Sequence, residues 1–103
     1  MKKKIQHIIK YESKVKSFVR GTFDEKRILK DSAKIHFRTG HNFPLKDLLF
    51  GVKDIINVDG YPTRCGSSLP HELFKGLQAS CVSKLLNAGA IFAGKTVTAE
   101  FAV

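Results

Sequence analysis

"FGVKDIINVDGYPTRCGSS", Phe50 to Ser68, sets one lysine, Lys53, inside an otherwise apolar run and follows it with a turn dense in Gly, Pro and small polar residues. The run "LLFGVKDII" is short, apolar and rich in branched residues, so it reads as a largely buried strand. Lys53 is then either a surface lysine on an exposed strand or an amine placed for chemistry in a dry site. Strand alternation sends Asp54 to the face opposite Lys53, so the two need not pair. The Asp59-Gly60 step is a tight-turn signal between two extended runs.

Downstream, "SSLPHELFKG" offers a Ser before a Pro-containing first turn and predicts a brief helix ending near Gly76. "QASCVSKLLNAGA" carries Ala79, Val82, Leu85 and Leu86 at helical spacing, with Gly89 as the C-terminal stop. "AIFAG" follows as a second buried strand. Upstream, "DEKRILKDSAKIHF" (Asp24 to Phe37) reads as an amphipathic helix whose acidic start suits a helix N-terminus. Residues 5–19 form a less regular earlier helix. Gly40 and Pro44 end the helical region. The order is helices, strand, turn, helix, strand. A strand-helix-strand unit with apolar strands implies an α/β fold, with its two strands parallel or near neighbours. The expected division is a basic helical lead-in over 1–44 and the start of an α/β core over 45–103.

The chain has 103 residues, which fits one small domain, and its 43% apolar content argues against disorder throughout. Its net charge of +9 is uneven: residues 1–50 hold thirteen Lys+Arg against five Asp+Glu, residues 51–103 five against four. A basic first half can meet nucleic acid, anionic lipid or an acidic partner, but a solvated helix face explains it as well. Cys65 and Cys81 form no C-x-x-C pattern and read as free, buried thiols in a reducing compartment. The four histidines, His7, His36, His41 and His71, have no ligand spacing, so no metal site is expected. The only apolar run near the start is Ile8-Ile9, too short for a signal peptide. No stretch approaches the ~20 apolar residues of a membrane span. A cytoplasmic chain without membrane contact is expected. The closing "GKTVTAEFAV" is apolar without turn or cap, and two or three strands leave open sheet edges, which suggests the opening third or less of something larger.

"GVKDIINVDGYPTRCGS" followed by "LLNAGAIFAGKTVTAEFA" resembles the N-terminal part of the amidase signature family. The "VKSFVR" segment is similar to the family's lead-in, and the match runs from about Val15 to Val103. The resemblance implies an N-terminal fragment of the amidase signature fold, a mixed sheet covered by helices. It also implies hydrolysis of carbon–nitrogen bonds of amides by a Ser–cisSer–Lys triad, with no cofactor and no metal. Carried over, the catalytic lysine is Lys53. In the family both serines lie downstream of the E-F-A segment, here Glu100-Phe101-Ala102. Ser67-Ser68 belongs to the P-T-x-x-G-S turn and is not that element. The chain is therefore expected to be inactive alone and to meet a small-molecule amide substrate only when completed by the missing C-terminal part. Nucleic acid is not an expected partner on this reading. The alternative is a small basic binding protein docking on RNA or an acidic partner through residues 1–38.

The chemistry behind Lys53 is general. An ammonium cannot accept a proton, so a lysine base must be neutral, and desolvation achieves this. Phe50, Val52, Ile55 and Ile56 flank Lys53 and would supply that setting. Arg64 and Cys65 are expected to shape a turn, and Lys95 to cap or pair; Thr96 and Thr98 could line a pocket. Three segments depart from the family's pattern. In "LKDLLFG", Asp47 stands where a Gly is usual and Leu49 where a Pro is. Gln78 replaces an acidic residue in the helix lead-in, and Ala99 replaces the threonine before E-F-A. Losing a Gly can strain a turn that needs positive φ.

Overall fold

A computed structural model describes residues 1–38 and 42–103; the expected helix stop at Gly40, and His41, lie outside the described residues. The elements are α1 (Lys2–Val15), α2 (Glu25–Phe37), β1 (Leu49–Lys53), α3 (Ser80–Asn87) and β2 (Ile91–Thr96). Two 3₁₀ turns cover His71–Phe74 and Glu100–Ala102. The α/β class and the element order are those read from the sequence.

β1 and β2 pair in parallel, Phe50 against Phe92 and Lys53 against Thr96, with a bulge that leaves Ala93 without a partner between Phe92 and Gly94. Helices cover both faces. On one, Ile5 of α1 and Ile28 of α2 pack with Ile91 and Ala93. On the other, Val82 of α3 packs with Val52, Val58 and Phe92. Ile5, Ile28 and Val82 are almost completely buried, and each contributes about 1.5–3 kcal/mol by leaving water.

The helix ends are set by identifiable groups. Asp24 caps α2 by accepting from the amides of Lys26 (3.0 Å) and Arg27 (3.4 Å). α1 stops at Val15, short of the expected residue 19, because Lys16 turns left-handed (φ 50°). The Glu12 carboxylate then gathers the Ser17 amide and hydroxyl and the Phe18 amide at 2.8–3.0 Å. Burial pulls the Glu12 carboxyl upward, but these donors outweigh it and hold it below its ordinary value. The freed segment runs beside β2: Val19 N–H donates to the Lys95 carbonyl (2.8 Å) and Val97 N–H to the Ser17 carbonyl (2.9 Å).

Arg27 closes the rest of that edge. Its guanidinium donates to the Phe92 (2.7 Å) and Ala93 (3.1 Å) carbonyls. The bulge turns two successive carbonyls toward one fork, a geometry that suits a planar guanidinium and not an ammonium.

The brief helix expected after Pro70 is a single 3₁₀ turn, His71–Phe74. Two local expectations are corrected. Val58–Tyr61 closes as a turn (Tyr61 N–H to Val58 carbonyl, 3.1 Å) with a single bridge, and only Gly60 has positive φ, 86°. That is the type II pattern and not a hairpin turn between long strands. The cysteines are free but not buried: Cys65 is half-buried and Cys81 exposed.

Candidate active site

Lys53 ends β1, and its carbonyl accepts from Ile56 N–H (3.0 Å), which turns the chain at once. Its neighbours in the chain, Val52 and Asp54, are buried, while Lys53 itself is exposed. The apolar residues around it in sequence therefore do not dry it. Alternation puts Val52 and Asp54 on the α3 side, and Lys53 on the side it shares with Leu49 and Gly51. Nothing among the described residues closes over the amine there.

Asp54 is the opposite case. It is 2% exposed, and its Oδ1 stands 2.9 Å from Lys95 Nζ. That contact falls outside hydrogen-bond angles, so attraction of charge rather than a directed bond holds Oδ1. Asp54 Oδ2 accepts from the Arg64 amide (3.2 Å). The backbone adds two bonds at 2.9 Å: Asp54 N–H to the Thr96 carbonyl and Cys65 N–H to the Asp54 carbonyl. Lys95 is fully buried. It donates to the Ile56 carbonyl (2.6 Å) and to Thr63 Oγ1 (3.4 Å), and Thr63 in turn donates to Asn57 Oδ1 (2.5 Å).

One buried ion pair thus ties together β1, β2, the turn after Lys53 and the P-T-R-C-G-S loop. Arg64 and Cys65 shape that loop as expected, Cys65 with a left-handed φ of 53°. Lys95 pairs, as expected, from within β2 and not after it. What the sequence did not disclose is its partner: Asp54 lies in the turn just past the end of β1, far away in the chain, and no spacing rule joins them. The available signal was one acid and one base, each in or beside an apolar strand, because buried charges are found paired.

Ser67 is occupied as a turn residue, its hydroxyl accepting from the Leu69 amide (3.1 Å). The Thr98 hydroxyl donates to the Ala99 carbonyl (3.0 Å), and Thr96 pairs with Lys53 in the sheet. A cavity of about 550 Å³ opens beside the loop, lined by Asn57, Tyr61, Thr63, His71 and Glu72 among others. Among the described residues, no three His, Cys, Asp or Glu side chains gather closely enough to hold a metal ion. Nor is any helix there long and apolar enough to cross a membrane.

The departure at Asp47 has a visible consequence. Asp47 holds φ +69°, the conformation a glycine accepts most easily. Its carboxylate meets His36 Nε2 at 2.7 Å, and its carbonyl accepts from Lys4 Nζ. The hydrogen bond from His36 holds the Asp47 carboxyl below its ordinary value.

The amidase family model matches residues 1–103, and the chain belongs to that family. Among its relatives is the A subunit of the glutamyl-tRNA(Gln) amidotransferase of Methanosarcina barkeri. It is 39% identical over 92 residues, covering 89% of this chain and 18% of that relative. The protein of the same name from Halorhodospira halophila is 30% identical over 99 residues, covering 96% and 20%. The chain spans about a fifth of the length of these relatives.

Proposed function

We propose that this chain is the lysine-bearing N-terminal part of an amide-hydrolysing enzyme, in which Lys53 is the base of a Ser–Ser–Lys triad, and that it is inactive alone. The observation that carries the reading is the sorting of charges at the end of β1. Asp54, the acid next to Lys53, is engaged by Lys95, so it does not hold the Lys53 amine in its charged form. The polypeptide that supplies the two serines would also wall off the open side of β1 and dry the amine. Neutral Lys53 then takes a proton from the bridging serine as that serine takes one from the nucleophile. The nucleophile attacks the amide carbonyl, the amine leaves with a proton, and water releases the acyl group.

The test has two parts. The isolated chain is expected to hydrolyse no amide above background, because the nucleophile and the oxyanion donors supply nearly all the rate. Amide turnover by the purified chain that disappears in Lys53→Ala would overturn its inactivity. Fused to the remaining four-fifths of the Methanosarcina barkeri relative, the chain is expected to support amide hydrolysis that falls at least ~10³-fold in Lys53→Ala. A fusion whose rate stays within about tenfold in that variant removes Lys53 from the reaction.

A further inference from the structure

A groove of about 770 Å³ lies between α2 and α3, and Lys53 is not among the residues that line it. Its floor is apolar, formed by Ala90, Ile91 and Phe92 at the start of β2, with Leu86 of α3 at one side. The α2 wall differs in kind. Lys30, Lys34 and Arg38 follow one another along it, all exposed, with Lys26 one step further out on the same stripe. A four-residue step rises about 6 Å along a helix, so Lys26, Lys30 and Lys34 form a regular row, and Arg38, the extended C-cap, continues it just past the helix end with its guanidinium 5.5 Å from the Phe43 ring centroid. Phe37 stands among them with 84% of its surface exposed, the largest such value for any aromatic side chain among the described residues.

The acids nearby do not cancel this charge. Asp31, the one acidic residue lining the groove, is held by Arg27 at 3.2 Å. Asp24 is occupied as the α2 cap. The Glu12 carboxylate is consumed at the end of α1. On the same layer, Lys3, Lys10 and Lys14 of α1 are exposed and extend the positive field.

We propose that this groove binds a single-stranded nucleic acid, its phosphates along the Lys30–Lys34–Arg38 row and a base stacked on Phe37. A cationic track beside an exposed aromatic face is what sequence-tolerant single-strand binding requires. An acidic peptide would use the row but has no need of the ring. An aliphatic surface would use the floor but would leave three cations desolvated against it. Lys53 does not line the groove, and the groove's ligand is tested without reference to it.

The test is fluorescence anisotropy of a labelled oligo(rU) of about 12 nucleotides, within the usual range of single-strand site sizes, with the whole chain. Each variant is first shown to unfold like the parent by circular dichroism. Saturable binding is expected. With three phosphates engaged, log K falls with log salt at a slope of about −2, a loss on the order of 20-fold between about 50 and 200 mM. Lys30→Glu/Lys34→Glu is expected to abolish binding. Lys3→Glu/Lys10→Glu, the same change of charge on α1, should weaken it less than about threefold, as long-range field does. Phe37→Ala should weaken it about fivefold or more through lost stacking. No saturable binding at about 50 mM salt overturns the proposal. So do equal effects of the two charge reversals, which would mean net charge alone, and an indifferent Phe37→Ala. Tighter binding to poly-glutamate assigns the groove to an acidic protein instead, and tighter binding to phosphatidylserine vesicles assigns it to a membrane surface.

Discussion

Lys53 and Lys95 occupy neighbouring rungs of one two-stranded sheet, since Lys95 pairs with Val52 and Lys53 with Thr96, yet they end in opposite surroundings. Lys95 is fully buried, ion-paired with Asp54 and bonded to Thr63 and the Ile56 carbonyl. Lys53 is exposed. The difference comes from which side of the sheet each amine leaves: Lys95 stands opposite Val52, and Lys53, the next residue of β1, faces the other way. A buried charge is stable only with a partner. Lys95 is thereby committed to structure. Lys53, with Asp54 turned away from it, stays at the surface.

The largest test of that contrast removes one charge from each side. Lys95→Met strands the Asp54 carboxylate in the core and is expected to lose about 3–5 kcal/mol of stability, the usual consequence of breaking a buried pair. Lys53→Ala should stay within about 0.5 kcal/mol, as exposed positions do. Urea denaturation of the chain measures both. Adding Asp54→Asn to Lys95→Met should recover part of the loss, because the uncompensated charge is gone while an acceptor for the Arg64 amide remains. Equal losses for the two lysines would mean that they share one environment.

A smaller effect tests the loop that the ion pair anchors. Gly66 has φ +66°, and a Cβ there would stand 2.6 Å from the Thr98 carbonyl oxygen, a backbone atom that cannot swing away. Gly66→Ala therefore combines left-handed strain with a collision and should cost more than ~1 kcal/mol. Gly60 has φ +86° but open space around its missing Cβ. Gly60→Ala carries the strain alone, about 1 kcal/mol. If the two variants unfold at the same urea concentration, the loop is not seated against Thr98 and Ala99.

Much of this is readable from residue patterns. The branched run Leu49–Lys53 and the Ala79–Leu86 periodicity mark β1 and α3, because short buried strands and amphipathic helices have distinct periods. Alternation alone places Asp54 away from Lys53. What stays hidden depends on contacts between distant segments. The end of α1 is decided by Glu12 reaching forward to Ser17 and Phe18, which competes with continued helix in a way periodicity does not register. The bulge at Ala93 exists with the Arg27 fork, from a helix 65 residues earlier. Lys53 is exposed despite its apolar neighbours in sequence because such neighbours dry a strand residue only if they share its face, and Val52 lies on the other one.

The mildest expected effect belongs to the exposed counterpart of the buried pair. His36 and Asp47 meet at 2.7 Å, but their side chains are 45% and 46% exposed, so solvent and salt screen them. The hydrogen bond from His36 lowers the Asp47 carboxyl beneath its ordinary value of 3.8. A lowered carboxyl adds stability that is complete above its unfolded value and lost as pH falls through the lower folded one. The Asp47 share of acid unfolding should therefore begin below about pH 4. Asp47→Asn should make that first part shallower while leaving stability at about pH 7 little changed. Asn tolerates the φ of +69° that this position demands, so the variant removes charge without adding strain. Repeating the titration in about 1 M salt separates the two kinds of pair. The Asp47 contribution should shrink there, since salt screens the exposed charges while the hydrogen bond from His36 remains, and the loss caused by Lys95→Met should persist because no ion reaches a fully buried amine. A Lys95→Met effect that salt erases would place that pair in water and dissolve the distinction between the two lysines.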